Sequence, residues 1–267
     1  VAVGADYGYV AAVAHSPCLP HELPQFYRNA GRLLAILYFI GATDAHFENL
    51  IATDSTLHLI DAETLFQGSL TEYTESNRPP GESRSWPLAA SVLRVGMLPG
   101  WLLAGPRNTP HDISALGVAP VTEPVAQPGW HSIGTDDIAW GVTLSSPSHP
   151  ACLPVPAGRD NPLAAHGDAV STGFSEVHRL VRDNISEIRD RVLDFVGVSR
   201  RVVLRATRVY AETQRAALSA DSLTTVNLRG FELERLSRSS LIAGQPSPYW
   251  EAFHAELHDM EQMDIPY

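Results

Sequence analysis

The 267-residue chain contains no lysine; its 19 basic residues are all arginine, set against 30 acidic ones for a formal net charge of −11. A nucleic-acid-binding face needs a basic excess, so this balance argues against one, although a metal and a few local cations can still hold nucleotide phosphates. Cysteine is nearly missing too. Cys18 and Cys152 stand far apart without a CxxC partner, which argues against a disulfide framework and rules out a cysteine-built zinc site. That usage implies a reducing, cytoplasmic compartment. No apolar run reaches the ~20 residues of a membrane helix. The longest, LLAILYFIGA at 33–42, predicts a buried helix. The first residues, VAVGADYGYV, lack the basic start of a signal peptide. They begin on Val rather than Met, as a fragment or a processed piece would. No HExxH zinc motif occurs, and the histidines outside 43–64 are scattered.

What is present is concentrated. Residues 43–64, TDAHFENLIATDSTLHLIDAET, hold five acidic side chains, two histidines and an asparagine among apolar residues. Upstream, Phe26, Ala30, Leu33, Leu34, Leu37 and Ile40 recur at helical spacing over 22–41, with Gly41 as a left-handed cap. TDAHFEN then reads as a loop, and LIATD and LHLIDAE as two short strands of a hairpin turning at TDS. The loop and the exit of the second strand, at Asp61, therefore belong to one helix–loop–hairpin unit.

Downstream the chain changes twice. From 68 to 170 it is rich in Pro, Gly and Ser, predicting long irregular loops with short ordered pieces such as AASVLRVGML. From 171 an amphipathic helix is expected with Phe174, Val177, Val181, Ile185, Ile188, Val192 and Phe195 on one face. A short strand at RVVLRAT, a helix at RVYAETQRAALS and a tail helix stopped by Pro266 complete the reading. No internal repeat is found. The predicted fold class is α+β and mostly helical, with a short catalytic hairpin.

The spacing of Asp44, His46 and Asn49 has a mechanical sense. A loop carboxylate can take the proton of an attacking hydroxyl, and an imidazole two residues on can orient it. An amide oxygen at Asn49 and a carboxylate at Asp61 can hold a divalent cation against phosphates. On spacing alone the plainer alternative stands beside it: Asp44 and Asn49 as turn formers or caps, His46 as a hydrogen-bonded structural ring. Arg200, Arg201, Arg205 and Arg208 likewise read either as a solvated face or as phosphate ligands, for which the planar guanidinium is suited.

A wider pattern bears on the choice. FYRNAGRLLAILYFIGATDAHFENLIA, LHLIDAETLF, VLRVGMLP, the GF of Gly173–Phe174, RVVLRATRVY and the terminal MDIPY occur in an order that resembles the dehydratase domain of class II lanthipeptide synthetases, the LanM family. The resemblance runs along essentially the whole chain. It implies the catalytic lobe of a lipid-kinase-like fold, and an enzyme that phosphorylates Ser and Thr of a ribosomal precursor peptide with ATP and Mg²⁺. The phosphate is then eliminated to leave a dehydroamino acid. Carried over, Asp44 is the base or hydroxyl-orienting group with His46 beside it. Asn49 and Asp61 are metal and phosphate ligands, and Glu63 supports them. Arg201 and Thr207 serve elimination, and Glu48 has a structural role. The pattern departs at IGTDDIAW, where Gly134 stands for an asparagine, so Asp136 and Asp137 receive no role.

With no lysine to grip ATP, the resemblance implies that 1–267 is a partial domain. The N-terminal lobe and the zinc cyclase domain would lie outside it, and the isolated piece would be inactive. Two other readings share the motif: a lipid- or small-molecule kinase-like phosphotransferase, and a non-catalytic peptide-binding remnant.

Overall fold

Leu23–Phe39 forms the first helix, α1, with Pro24 in its opening turn, and buries Phe26, Tyr27, Ala30, Gly31, Leu34, Ala35 and Leu37 along one side. It ends as the sequence predicts. Gly41 adopts φ +70°, its N–H bonding Tyr38 O and the N–H of Ala42 bonding Leu37 O, the two bonds of a Schellman turn. The architecture is that of a computed structural model, which describes residues 2–4, 7–67, 91–104, 109–118, 125–145, 149–156, 159–198, 205, 207–237 and 249–266. The fold is α+β and mostly helical. The chain divides into two compact units, one from 1–65 and 91–197, the other from 66–90 and 198–267.

In the first unit, β1 (Ala2–Val3) pairs with β2 (Gly8–Tyr9), and β3 (Leu50–Thr53) pairs antiparallel with β4 (Thr56–Leu59). The predicted TDS turn closes the second hairpin, with Asp54 at φ +50°. Leu50, Ala52 and Leu57 join the buried side of α1 and Val95, Met97, Leu116 and Leu153 in a single apolar core. Helix α2 (Leu163–Asp183) crosses α1 at very short range. Gly31 lies on the Val170 carbonyl and Gly173 on the Arg28 carbonyl, so neither position has space for a Cβ. Glu176 ties the crossing to Arg28 and to Arg32, whose Nε lies 2.8 Å from Oε2. Those two guanidinium groups hold the Glu176 carboxyl down to about 2.

Four expectations are revised. The span 68–170, read as irregular, contains two further hairpins, β5 (Trp101–Ala104) with β6 (Thr109–Asp112) and β7 (Val125–His131) with β8 (Ala139–Ser145). Pro110 and Pro128 sit inside these strands, which suits two-stranded ribbons with unpaired edges but disguises them as loop. Helical structure opens at Leu163 rather than 171, where Asn161 Oδ1 accepts the Leu163 N–H at 3.0 Å, and after a kink at His166 (φ −124°) the long part of α2 begins at 167. The expected single helix breaks at Asn184, whose Nδ2 donates to Leu180 O, and resumes as α3 (Ile185–Leu193). Its predicted apolar face is covered only at the start. Phe174 packs on the core, but α3 buries nothing and Ile185, Val192 and Phe195 are exposed.

The second unit has its own core of Tyr210, Ala217, Leu233, Leu236, Phe253 and Met260. These come from α4 (Thr207–Ala217), α5 (Val226–Leu233), the 3-10 turn after it and α6 (Tyr249–Glu261). Helix α6 stops five residues before Pro266. A second Schellman turn ends it, with Met263 at φ +66° and the Asp264 N–H on Asp259 O. Most of the strand expected at RVVLRAT lies outside the described residues. Among those residues no helix is long and apolar enough to cross a membrane.

Candidate active site

The loop after α1 is held from behind by backbone. Ala45 N–H bonds Val95 O at 2.8 Å, Phe47 N–H bonds Ile113 O at 3.2 Å, and His46 bridges Ser114. Gly96, at φ +89°, passes so close that a Cβ there would lie 3.2 Å from Ala45 N. Asp112 Oδ1 in turn takes hydrogen bonds from Ser114 N–H and Oγ–H, at 2.9 and 2.7 Å. Sequence reasoning assigned no role to Val95, Gly96, Asp112 or Ser114. The only available signal was the glycine within VLRVGML, placed where a left-handed turn is required.

On this platform Asp44 takes φ +61°, a left-handed conformation that Asp tolerates better than most side chains. Its own carbonyl accepts from Asn49 Nδ2 at 2.8 Å, closing the loop across five residues. The Glu48 N–H donates to His46 Nδ1 at 3.2 Å, so the ring proton sits on Nε2. Nε2 faces Asp44 Oδ1 at 3.4 Å. The hairpin delivers the second set: Ile60 N–H bonds Asn49 O, and Asp61 Oδ1 accepts the Glu63 N–H at 3.1 Å. Asp44, His46, Asn49, Asp61 and Glu63 are thus gathered where the loop meets the end of β4.

Electrostatics agree with that gathering. Partial burial pushes the Asp44 carboxyl up; His46 opposes the shift, and Asp61, Glu63 and Glu48 reinforce it as like charges. A carboxylate so placed is a stronger base than an ordinary aspartate. The donor set also fits a hard cation. Asn49 spends its Nδ2 on the Asp44 carbonyl, which leaves Oδ1 as its acceptor, and Asp61 keeps one oxygen beyond the Glu63 contact. Among the described residues, no three His, Cys, Asp or Glu side chains already converge on one metal position. Thiol chemistry has no support here: burial pushes Cys18 up to about 11 and Cys152 up to about 12, and neither forms a disulfide.

Thr207 is the first residue of α4, in the second unit, and is exposed. Arg201 lies outside the described residues. A buried group that the sequence reading passed over stands in the same unit. Glu256 Oε1 and Oε2 accept from Arg205 Nε and NH2 at 2.7 and 3.0 Å, and Oε1 also accepts from Tyr210 Oη at 2.7 Å. A signal for it existed: Phe253, Glu256, Leu257 and Met260 share one helical stripe, and a carboxylate on that stripe requires a partner.

A model of a domain of unknown function, DUF4135, matches residues 1–267. The chain belongs to the DUF4135 family. It is also similar to the "Lacticin 481/lactococcin biosynthesis protein LcnDR2" of Lactococcus lactis subsp. lactis, with 35% identity over 96 residues. That stretch is 35% of this chain and 10% of the relative, so the chain matches only a small part of that protein's length.

Proposed function

We propose that this DUF4135 chain serves lanthipeptide biosynthesis as the catalytic part of a dehydratase that acts on Ser and Thr of a precursor peptide. The observation that carries the reading is the gathering of Asp44, His46, Asn49 and Asp61 at one loop–hairpin junction. The similarity to a lacticin biosynthesis protein supports the substrate class. Magnesium and ATP, when bound, supply the phosphoryl group and neutralise its charge. Asn49 Oδ1 and the Asp61 carboxylate are the groups to hold the cation. Asp44, made more basic by its surroundings, takes the proton of the peptide hydroxyl, and His46 Nε2–H orients the Asp44 oxygen it faces. In the second half-reaction Arg201 is assigned to the departing phosphate and Thr207 to the same site, by their places in RVVLRAT.

The test follows peptide mass with the full-length protein, its precursor peptide, ATP and Mg²⁺. Loss of one water per modified Ser or Thr is expected, abolished by Asp61→Ala. Arg201→Ala is expected to stall at the phosphopeptide. Transfer without elimination by the unmutated protein would favour a plain kinase-like phosphotransferase. No modification at all would favour a peptide-binding role.

A further inference from the structure

Thr64 is 4% exposed, although residues 61–63 just before it are all exposed. A buried position is ordinarily filled by an apolar side chain, because a hydroxyl there must find a partner. Thr64 has found one. Its Oγ1–H donates to the Thr43 carbonyl, and its own carbonyl accepts the Thr43 N–H at 3.3 Å. Both backbone polar groups of Thr43 are thus bonded to a single residue. Thr43 immediately precedes Asp44, and Thr64 stands three positions after Asp61. A second pin joins the same two segments further along, where the Ile60 N–H bonds Asn49 O at 3.0 Å. Within each segment the site residues are tied to these pins. Asn49 Nδ2 donates to the Asp44 carbonyl at 2.8 Å, and the Glu63 N–H donates to Asp61 Oδ1 at 3.1 Å. The bonds close a circuit through Thr43, Asp44, Asn49, Ile60, Asp61, Glu63 and Thr64. With one pin the exit of the hairpin could swing about Asn49; with two, the span from Asp44 to Asp61 is fixed. The Ile60 pin is backbone alone. At the other pin the backbone bond is long, and the Thr64 hydroxyl strengthens it.

We propose that Thr64 is a positioning residue of phosphoryl transfer, its hydroxyl setting the span between Asp44, which takes the proton, and Asp61, which holds the cation. The inference rests on the dehydratase reading. In that step the peptide hydroxyl oxygen bonds to the γ-phosphorus of ATP, and the hydroxyl proton passes to Asp44. The bond from phosphorus to the bridging oxygen breaks, its electron pair leaving on ADP. Base and cation therefore act on one phosphoryl group at the same moment, and their separation must match it. A misplacement of about 1 Å costs on the order of 10²-fold in rate. Thr64 touches neither peptide nor nucleotide in this account; it acts only through Thr43 and the turn that follows Asp61.

The experiment uses the full-length protein with its precursor peptide, ATP and Mg²⁺, each variant assayed below its melting temperature. Thr64→Val keeps the shape and removes the donor, whereas Thr64→Ser keeps the donor and loses a methyl. Thr64→Val is expected to lower kcat for phosphorylation at least about tenfold while peptide KM stays within about twofold. Thr64→Ser should restore kcat to within about threefold of the unmutated protein. Tyr27→Phe removes another hydroxyl bond of the same unit, the one to Asn161, and as the control should leave kcat within about twofold. A second readout needs no ligand. Amide exchange in Thr64→Val should quicken at Thr43 and hold at Ile60, since only one pin is released. The proposal is overturned if Thr64→Val is no slower than Tyr27→Phe, if its loss lies in KM, or if Thr64→Ser is equally slow. Exchange that is unchanged at Thr43 or quickened at both pins, or a Thr64→Val protein that does not fold, likewise leaves the contact a structural one. Unmutated protein that transfers no phosphate to the peptide overturns the dehydratase reading itself, and the proposal falls with it.

Discussion

Alanine at Gly31 or Gly173 is expected to weaken the first unit and disturb its site, and the size of the effect follows from the helix crossing. A Cβ on Gly31 would lie 2.8 Å from Val170 C and 2.9 Å from its Cα, closer still to the carbonyl oxygen. One on Gly173 would lie 2.9 Å from Arg28 C and 3.1 Å from Arg32 N, again closest to a carbonyl oxygen. Carbon contacts settle at about 3.5–4.0 Å, so these alone require α1 and α2 to part by about 0.6–1.2 Å, and the carbonyl oxygens require more. The obstacle is backbone, which cannot swing aside. Overpacking of this kind costs about 1–3 kcal/mol. The helix preference of alanine over glycine returns about 1 kcal/mol. The net loss is therefore about 0–2 kcal/mol for each substitution, and about 1–3 kcal/mol against alanine at an unobstructed helix glycine, read as a fall in the urea midpoint at unchanged slope. The double variant should lose less than the sum, since one separation makes room for both methyls. Gly167, on the same helix with nothing within 4 Å of its would-be Cβ, is the control: alanine there should be neutral or stabilise by up to about 1 kcal/mol. Because α1 runs directly into the Gly41 turn and the 43–49 loop, peptide modification should fall in Gly31→Ala at temperatures where the protein is still folded. If Gly31→Ala and Gly173→Ala prove as stable as Gly167→Ala, the close crossing is refuted.

Two other outcomes follow from groups near or behind the site. With its folded pKa raised, Asp44 must be ionised to act as base, so phosphoryl transfer should fail on the acid side at a pH above that of an ordinary aspartate. Glu63→Gln or Glu48→Gln, each removing a like charge, should move that limb to lower pH in a rate–pH profile; an unmoved limb would show that another group sets it. The linked stability has the opposite sense. A raised carboxyl contributes stability below its unfolded pKa and loses it as pH rises through the folded one, so Asp44→Asn should raise the melting temperature at neutral pH and lose that advantage in acid. Asn161→Ala removes the partner of Tyr27 Oη and of Leu163 N–H, and frees the carbonyls of Leu116 and Val118. With a buried tyrosine hydroxyl left unsatisfied, the cost should be about 3 kcal/mol by urea denaturation, and smaller in a Tyr27→Phe background.

The helix–loop–hairpin unit was readable because its signals are local: a 3.6-residue apolar repeat, a glycine at the cap and alternation around a two-residue turn. Its polar residues come together as their spacing implied, because the unit is short and the hairpin returns the chain to where the loop ends. The hairpins of 101–145 were hidden because proline and glycine mark loops on average, and only pairing geometry shows that a ribbon edge tolerates them. The apolar stripe of 174–195 shows a different limit. Periodicity reports that a helix has a hydrophobic face, while what lies against that face depends on the rest of the fold. The supports of the loop at Val95, Ile113 and Ser114 reach it through backbone pairing from some 50 to 70 positions away, a kind of contact that carries almost no side-chain signature.

Our proposal that 43–49 is an active loop rather than a plain turn draws on what the arrangement costs. A turn needs Asp44 or Asn49 as a cap and nothing more. Here Asp44 holds a left-handed backbone, its carboxyl is partly desolvated, and three other carboxylates act on it as like charges. Each of these raises the energy of the folded protein, and none is needed to reverse the chain direction, which the Gly41 Schellman turn and the β3–β4 hairpin already accomplish. Unfavourable terms gathered on one loop, and held there by backbone bonds to Val95 and Ile113, are the expected mark of a site kept ready for a charged ligand. Under the proposed function, a bound cation is what would turn this repulsion into attraction.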